Sequence, residues 1–271
     1  MGQELSSSRL TATAGTATVE GTAGGGILPW VMLAGYGDRK EIGCAAGLGR
    51  LSTSDYGLST QAVACSYSNR LELSVARQSL ELDGLIPLLG LPPNQKLRQQ
   101  IIGAKVRLVG DVVYRPYGQL SFSVHHKSSR DDELVRATGA TRTSDTEAML
   151  GWGKLFIDGP MGQMLYLNAA ARWTRANQGG LLGAGGDRRD SRQINMEAAA
   201  AVLPRRDLAL GVEYRRKPDN LSFAGEDDWK DLFVAWFPNK HLSVVAAWVD
   251  LGSVGTLSNQ DGVYLSLAGS F

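Results

Sequence analysis

Residues 262–271 read GVYLSLAGSF, and their order decides how the rest of the chain is read. Val263, Leu265, Leu267, Gly269 and Phe271 lie on one side of a period-two ladder, with Tyr264, Ser266, Ala268 and Ser270 on the other. Terminal residues of a soluble domain are usually frayed and polar; these stop on an aromatic ring in mid-pattern. In lipid every backbone polar group must be paired, so a sheet survives there only when closed. Closure pairs the last strand with the first and leaves no edge. A terminal aromatic residue then belongs to the interfacial girdle, and the alternate apolar residues before it face lipid.

Working back from that strand, alternation recurs and helical periodicity is nearly missing. Strand-like segments are predicted at 9–21, 27–37, 42–52, 56–67, 70–81, 96–109, 118–127, 146–157, 163–175, 193–203, 207–216, 229–237, 241–251 and 262–271. Soluble strands average about 5–6 residues, whereas a tilted membrane-spanning strand needs about 9–11; most of these segments reach the second length. Their connections alternate too. Tight polar turns (GDRKE after Tyr36, SNR at Ser68, DGPMG at Asp158, PRRD at Pro204, PNK at Pro238) are separated by longer stretches at 82–95, 127–145, 176–192, 217–228 and 252–261. Short turns at one end and long loops at the other are the asymmetry of an outer-membrane barrel. The loop 110–118 is long for its side. The expectation is an all-β fold, a closed antiparallel transmembrane β-barrel of fourteen strands, or twelve if the first hairpin lies outside the wall. Residues 1–8 are expected to form a disordered N-terminal segment and residues 9–271 a single barrel.

Composition agrees. Glycine contributes 33 of 271 residues, well above the usual ~7%, and is spread along the chain. A formal net charge of +1 provides no basic face for nucleic acid. No apolar run approaches the ~18 residues of a transmembrane helix. No signal peptide is visible, and Met1 before GQELSSSR reads as a start methionine on a mature chain. Cys44 and Cys65 lie in consecutive strands about a tight turn near Ser54, as cross-strand neighbours. The sequence leaves open a disulfide in an oxidising compartment and two small buried thiols; with no histidine beside them they make no metal site.

If the wall is a barrel, alternation assigns the lumen. Leu208, Leu210, Val212 and Tyr214 facing lipid puts Glu213 and Arg215 inside. By the same parity Glu72, Lys105, Arg107, Asn168, Arg172, Asn195 and Glu197 point inward, and Trp173 outward. Charges in a dry interior cost several kcal/mol each unless paired; a wet lumen removes most of that cost. Two readings follow: a charged constriction that selects solutes, or a salt-bridge ladder that plugs the barrel. The tryptophans at 30, 152, 173, 229, 236 and 248 all fall in predicted strands, as an interfacial girdle would have them.

One stretch carries candidate catalytic chemistry. SVHHKSSR places His126 and Ser128 on the lipid-facing parity, an arrangement that resembles outer-membrane lipid hydrolases with a histidine base and a serine nucleophile. No orienting acid or asparagine can be assigned. GGLLGAGGDRRD lacks the strand and helix of a phosphate loop and reads as a compact outer loop, with an inward fold left open and Asp187, Asp190 and three arginines available for ion pairs. GEDDW, with Glu226, Asp227 and Asp228, reads as an acidic loop, with a divalent-cation site as the sharper alternative.

Several stretches together are similar to a family of proteobacterial outer-membrane proteins labelled as a domain of unknown function. They are LAGYG at 33–37, IIGAKVRLVGDVVY at 101–114, RANQGGLLGAGGDRRD at 175–190, EYRRKPDNLS at 213–222, FVAWFPNKHLS at 233–243, VDLG at 249–252 and YLSLAGSF at 264–271. The resemblance implies one barrel in the bacterial outer membrane and brings no activity or catalytic residues with it. The last strand also resembles the signal read by the outer-membrane assembly machinery, with Phe271 at its tip and Gly269 as a departure from the usual aromatic. The functional expectation is porin-like passive passage of small solutes through a charged lumen, with no cofactor. The alternatives are a plugged barrel serving as a platform for a partner and a lipid hydrolase at His126 and Ser128. Outer-membrane lipid, lipopolysaccharide and a protein partner or second copy are the expected neighbours.

Overall fold

The structure, a computed structural model, describes residues 16–35, 37, 40–86 and 90–271; the expected disordered segment 1–8 lies outside them. Two short strands, β1 (Thr16–Ala17) and β2 (Ala23–Gly24), come first. The wall follows: β3 (Ile42–Thr53), β4 (Gly57–Tyr67), β5 (Leu71–Glu81), β6 (Lys96–Gly110), β7 (Gln119–Ser129), β8 (Ser144–Phe156), β9 (Met164–Thr174), β10 (Gln193–Arg205), β11 (Leu208–Arg215), β12 (Trp229–Asn239), β13 (Leu242–Asp250) and β14 (Asp261–Ser270). Each pairs antiparallel with the next, and β14 closes on β3 from Gly262↔Thr53 to Ser270↔Ala45. Past the last strand, Phe271 N–H donates to Cys44 O at 2.8 Å and Phe271 O accepts from Cys44 N at 2.6 Å, so the ladder runs to the final residue.

The barrel therefore has twelve strands, the alternative count, and the described residues of the segments 9–21 and 27–37 are not part of its wall. The reason is in their residues. A wall strand needs one wet and one oily face, but Ile27 and Leu28, and Val31, Met32 and Leu33, are adjacent apolar pairs and triplets that leave no polar parity. From Thr18 to Ala34 every residue is buried, and the segment lies inside the barrel. β1 and β2 form a small hairpin there, Thr16↔Gly24 and Ala17↔Ala23.

The outward face is an apolar belt. Leu48, Val63, Leu73, Ile102, Leu150, Ile194, Val212, Leu232, Leu265 and Leu267 are each more than two-fifths exposed. A continuous band of that size is far beyond the few hundred Å² a soluble monomer tolerates, and lipid removes its cost. No helix among the described residues is long and apolar enough to cross a membrane; the strands cross. Trp173 and Trp248 sit outward near the long-loop end, and Trp152 and Trp236 outward near the short-turn end, as two girdles require. Trp30 and Trp229 are corrections to the girdle reading: both are buried inside, Trp30 against Tyr166 at 4.8 Å and Phe233 at 5.8 Å between ring centres.

The long loops converge over one mouth. The loop after β9 turns inward, with Asn177, Gln178, Leu181, Leu182 and Ala184 buried. Arg142 with Asp190, and Arg188 with Asp219 at 2.6 Å, tie it to the loops beside it. A short helix, α1 (Asp132–Ala137), lies in one of those neighbouring loops.

Candidate functional site

The site is the lumen and the segment threaded through it. Near the short-turn end Glu72 accepts the Ala34 N–H at 2.6 Å and lies 3.5 Å from Lys105. Lys105 Nζ in turn donates to the carbonyls of Trp30 and Met32, both at 2.9 Å. Asn168 Oδ1 accepts the Val31 N–H at 3.1 Å, and Ser121 Oγ donates to Val31 O at 2.9 Å. Wall side chains thus satisfy backbone groups of the threaded segment, beside the bonds it makes within itself, such as Val19 N–H to Gly26 O and Trp30 N–H to Ala23 O, both at 2.9 Å.

Glu213 holds the middle. Its Oε2 accepts the N–H groups of Gly26, Ile27 and Leu28 at 3.1, 2.8 and 3.0 Å, and its Oε1 accepts the Trp30 indole N–H at 2.7 Å. Three successive backbone N–H groups aimed at one carboxylate form a nest, which favours an anion. The run Gly24-Gly25-Gly26 makes this approach feasible. A Cβ on Gly26 would come within 2.9 Å of Asp231 Oδ2, and one on Gly25 would meet Glu213 Oε1.

Toward the long-loop end five consecutive strands contribute one charge each: Lys127 from β7, Glu147 from β8, Arg172 from β9, Glu197 from β10 and Arg215 from β11. The signs alternate and neighbours pair: Lys127 with Glu147 at 2.9 Å, Glu147 with Arg172, Arg172 with Glu197 at 2.6 Å, and Glu197 with Arg215 at 3.0 Å. Three cations and two anions leave the arc one positive charge in excess. Glu20, from the threaded segment, provides the missing carboxylate, 2.6 Å from Lys127, 3.1 Å from Arg172 and 3.2 Å from Arg215. All six groups are buried, so removing any one of them leaves an uncompensated charge in the interior, a cost that breaking a surface ion pair does not carry.

Of the lumenal residues assigned from alternation, Glu72, Lys105, Asn168, Arg172, Glu197, Glu213 and Arg215 are buried within this network. Arg107 stands apart, half-buried at the short-turn end and 3.5 Å from Asp111. Cys44 and Cys65 are directly opposed in β3 and β4 and joined by a disulfide, on the outward parity. Phe271 is 70% exposed at the short-turn rim. Alternation alone did not identify Glu20, Lys127 and Glu147. Lys127 and Glu147 share the parity of their inward neighbours, but a predicted strand boundary fell beside each. Glu20 had a plainer signal: it is the lone charge between Arg9 and Asp38, in a stretch otherwise fit for a dry interior.

His126 and Ser128 do face outward on β7. The hydrogen bonds place His126 Nδ1 with Thr146 Oγ1 at 2.9 Å; none among the described residues joins His126 to Ser128, the bond that activates a seryl nucleophile. The acidic loop is occupied by protein partners: Glu226 pairs with Lys217 at 2.8 Å, Asp228 accepts from Tyr214, and Asp227 accepts the Ser253 N–H at 2.8 Å. No cluster of metal-ligating side chains is found among the described residues.

Among solved structures the chain is similar to the KdgM porin, with a TM-score of 0.53 at 8% identity over 84% of this chain and 99% of that one. It is also similar to the NanC porin, TM-score 0.48 at 10% identity over 84% and 98%. Outer membrane phospholipase A from Escherichia coli aligns with a TM-score of 0.40 at 10% identity over 84% and 91%. The first likeness shows the fold, a barrel of the outer-membrane porin kind. Comparison with the curated proteins gives no match. A family model described as a protein of unknown function, DUF3034, matches residues 13–268, nearly the whole chain, and the protein belongs to that family.

Proposed function

We propose that this barrel is a porin-like channel for passive passage of small solutes whose conducting state is controlled by residues 18–35, with the lumenal charges acting on the plug before they act on any solute. The observation that carries the proposal is the five-strand arc of alternating charge that is complete only with Glu20 in place. An arc built merely to be rigid would balance its own charges. This one leaves one cation in excess, and the carboxylate of Glu20, from the threaded segment, neutralises it.

The test is single-channel conductance of the refolded full chain in a planar bilayer. Wild type is expected to be silent or to open rarely and briefly. Glu20→Gln removes one partner of a buried charge network and leaves a cation uncompensated, at a cost of about 3–5 kcal/mol, and is expected to raise the open probability at least tenfold. If inserted Glu20→Gln protein stays as silent as wild type, the plug is structural and the platform reading takes its place. Steady wild-type conductance with a selectivity altered by Glu197→Gln would instead support an open, charge-selective lumen.

A further inference from the structure

Above the charged arc the loops enclose a second space of a different character. It is a chamber of about 280 Å³ at the long-loop mouth, with Leu58, Leu80, Leu97, Leu182 and Leu251 in its walls and Val19 of the plug bordering it. Four strands and four loops thus turn leucine toward a region where a sugar or ion pore would place polar groups. The polar side chains on its lining are almost all satisfied by the protein. Tyr56 OH donates to Val254 O at 2.8 Å, Thr138 Oγ1 donates to Val135 O at 2.7 Å, and Gln178 Nε2 donates to Ser253 O at 3.1 Å. Gln178 Oε1 accepts from Lys217 Nζ at 3.1 Å. The exception is Trp229, which is 6% exposed and whose indole N–H has no acceptor among the described residues. A buried donor left unpaired is costly, and Trp229 is among the residues that line the chamber.

Size and chemistry together define the occupant. An apolar cavity of about 150 Å³ takes one benzene, so a chamber of 280 Å³ takes two fused rings or a chain of similar bulk. Building on the gated-channel reading, we infer that this chamber is a binding site for an uncharged, mainly apolar small molecule of about two-ring size, carrying at most one or two polar atoms, and that such molecules are the solutes the barrel admits. The position fits. Val19 borders the chamber and is followed in the chain by Glu20, so an occupant touches the plug one residue from its charged anchor.

The experiment is equilibrium binding of 1-naphthol, a two-ring molecule with one hydroxyl, to the full-length protein in detergent, with partition into protein-free micelles subtracted. Sucrose serves as the polar comparison. Saturable binding of one 1-naphthol per chain is expected, with none for sucrose. Leu182→Trp fills the chamber and is expected to weaken 1-naphthol binding at least tenfold; Leu48→Trp, on the lipid face, should leave it unchanged. Should Leu182→Trp fail to fold, Phe223→Ala enlarges the same chamber and is expected to shift preference at least threefold toward the three-ring 9-phenanthrol. Non-saturable wild-type binding, binding indifferent to Leu182→Trp and Phe223→Ala, or stronger binding of sucrose would overturn the inference. The outcome is independent of conductance: a barrel that binds 1-naphthol but never opens retains the site and loses the channel, and one that opens without binding does the reverse.

Discussion

Glu213 shows how one carboxylate can organise a segment that has no sheet to join. The four N–H groups that donate to it each make a charge-assisted bond, worth about 1.5–3 kcal/mol apiece, and all four come from one short run, Gly26 to Trp30. Glu213→Gln keeps the shape but turns an NH₂ toward donors, so about half of that set is lost. We expect the plug to loosen by about 3 kcal/mol, near a hundredfold in the population of the loosened state. The readout is maleimide labelling of a cysteine placed at Thr22, which is buried in the native lumen. The neighbouring residue predicts the opposite sign. Asp231 faces Glu213 directly across β11 and β12. Two carboxyl groups side by side repel when both are ionised and otherwise must bind a proton, whereas an amide donates to its neighbour without one. Asp231→Asn is therefore expected to slow the same labelling, and equal acceleration by both variants would show that the pair does not work as described.

At the scale of elements, the loops act through ion pairs that acidity can undo. Asp190 accepts from Thr141 Oγ1 at 2.8 Å and from Arg142, and these bonds hold its carboxyl below the usual range. Asp187 is lowered in the same way by the Ser222 N–H at 2.9 Å. A carboxyl depressed on folding contributes stability that is present above its unfolded value, about 3.9, and is lost as pH falls through its folded one. Amide-exchange protection over residues 176–190, corrected for intrinsic rates, should thus be flat from pH 7 to about 4.5 and fall only at more acid pH. Asp190→Asn should lower that protection already at pH 7; a loop equally protected in the variant would mean that its inward fold does not depend on this carboxylate.

The same scale shows what could be read from the chain before its structure. From residue 42 onward the strands were legible because membrane strands need long, strict alternation, and that pattern leaves few competing assignments. Residues 16–35 misled because threonine, valine and glycine serve a lumenal plug as readily as a wall. The giveaway, apolar neighbours at both parities in ILPWVML, is a matter of three-dimensional burial more than of period. The paired lumen was half legible: parity turns the charges inward, but only geometry shows that Glu20 completes their balance.

For the whole molecule, the decisive question is what surrounds the belt. Leu267 lies on the outward face of β14, half exposed, opposite the exposed Leu48, which is midway along β3. In water, replacing a half-exposed leucine on a strand face would change stability within about ±0.5 kcal/mol. In a bilayer, an arginine at that depth costs about 2–4 kcal/mol, falling to about 0–1 near the interfaces. The outward face itself marks where the interface begins, because toward the long-loop end it carries Arg50, Arg77, Lys96 and Arg98, all exposed. Leu267→Arg should therefore lower the unfolding free energy in lipid vesicles by about 2–4 kcal/mol. Val263→Arg, nearer that charged rim, should cost less than half as much. The wall has no edge from which to unravel, so the loss should appear as one cooperative transition shifted in denaturant with its slope unchanged. Equal small effects at both positions would place the belt in water or against another protein, and the membrane-spanning reading of the barrel would have to be given up.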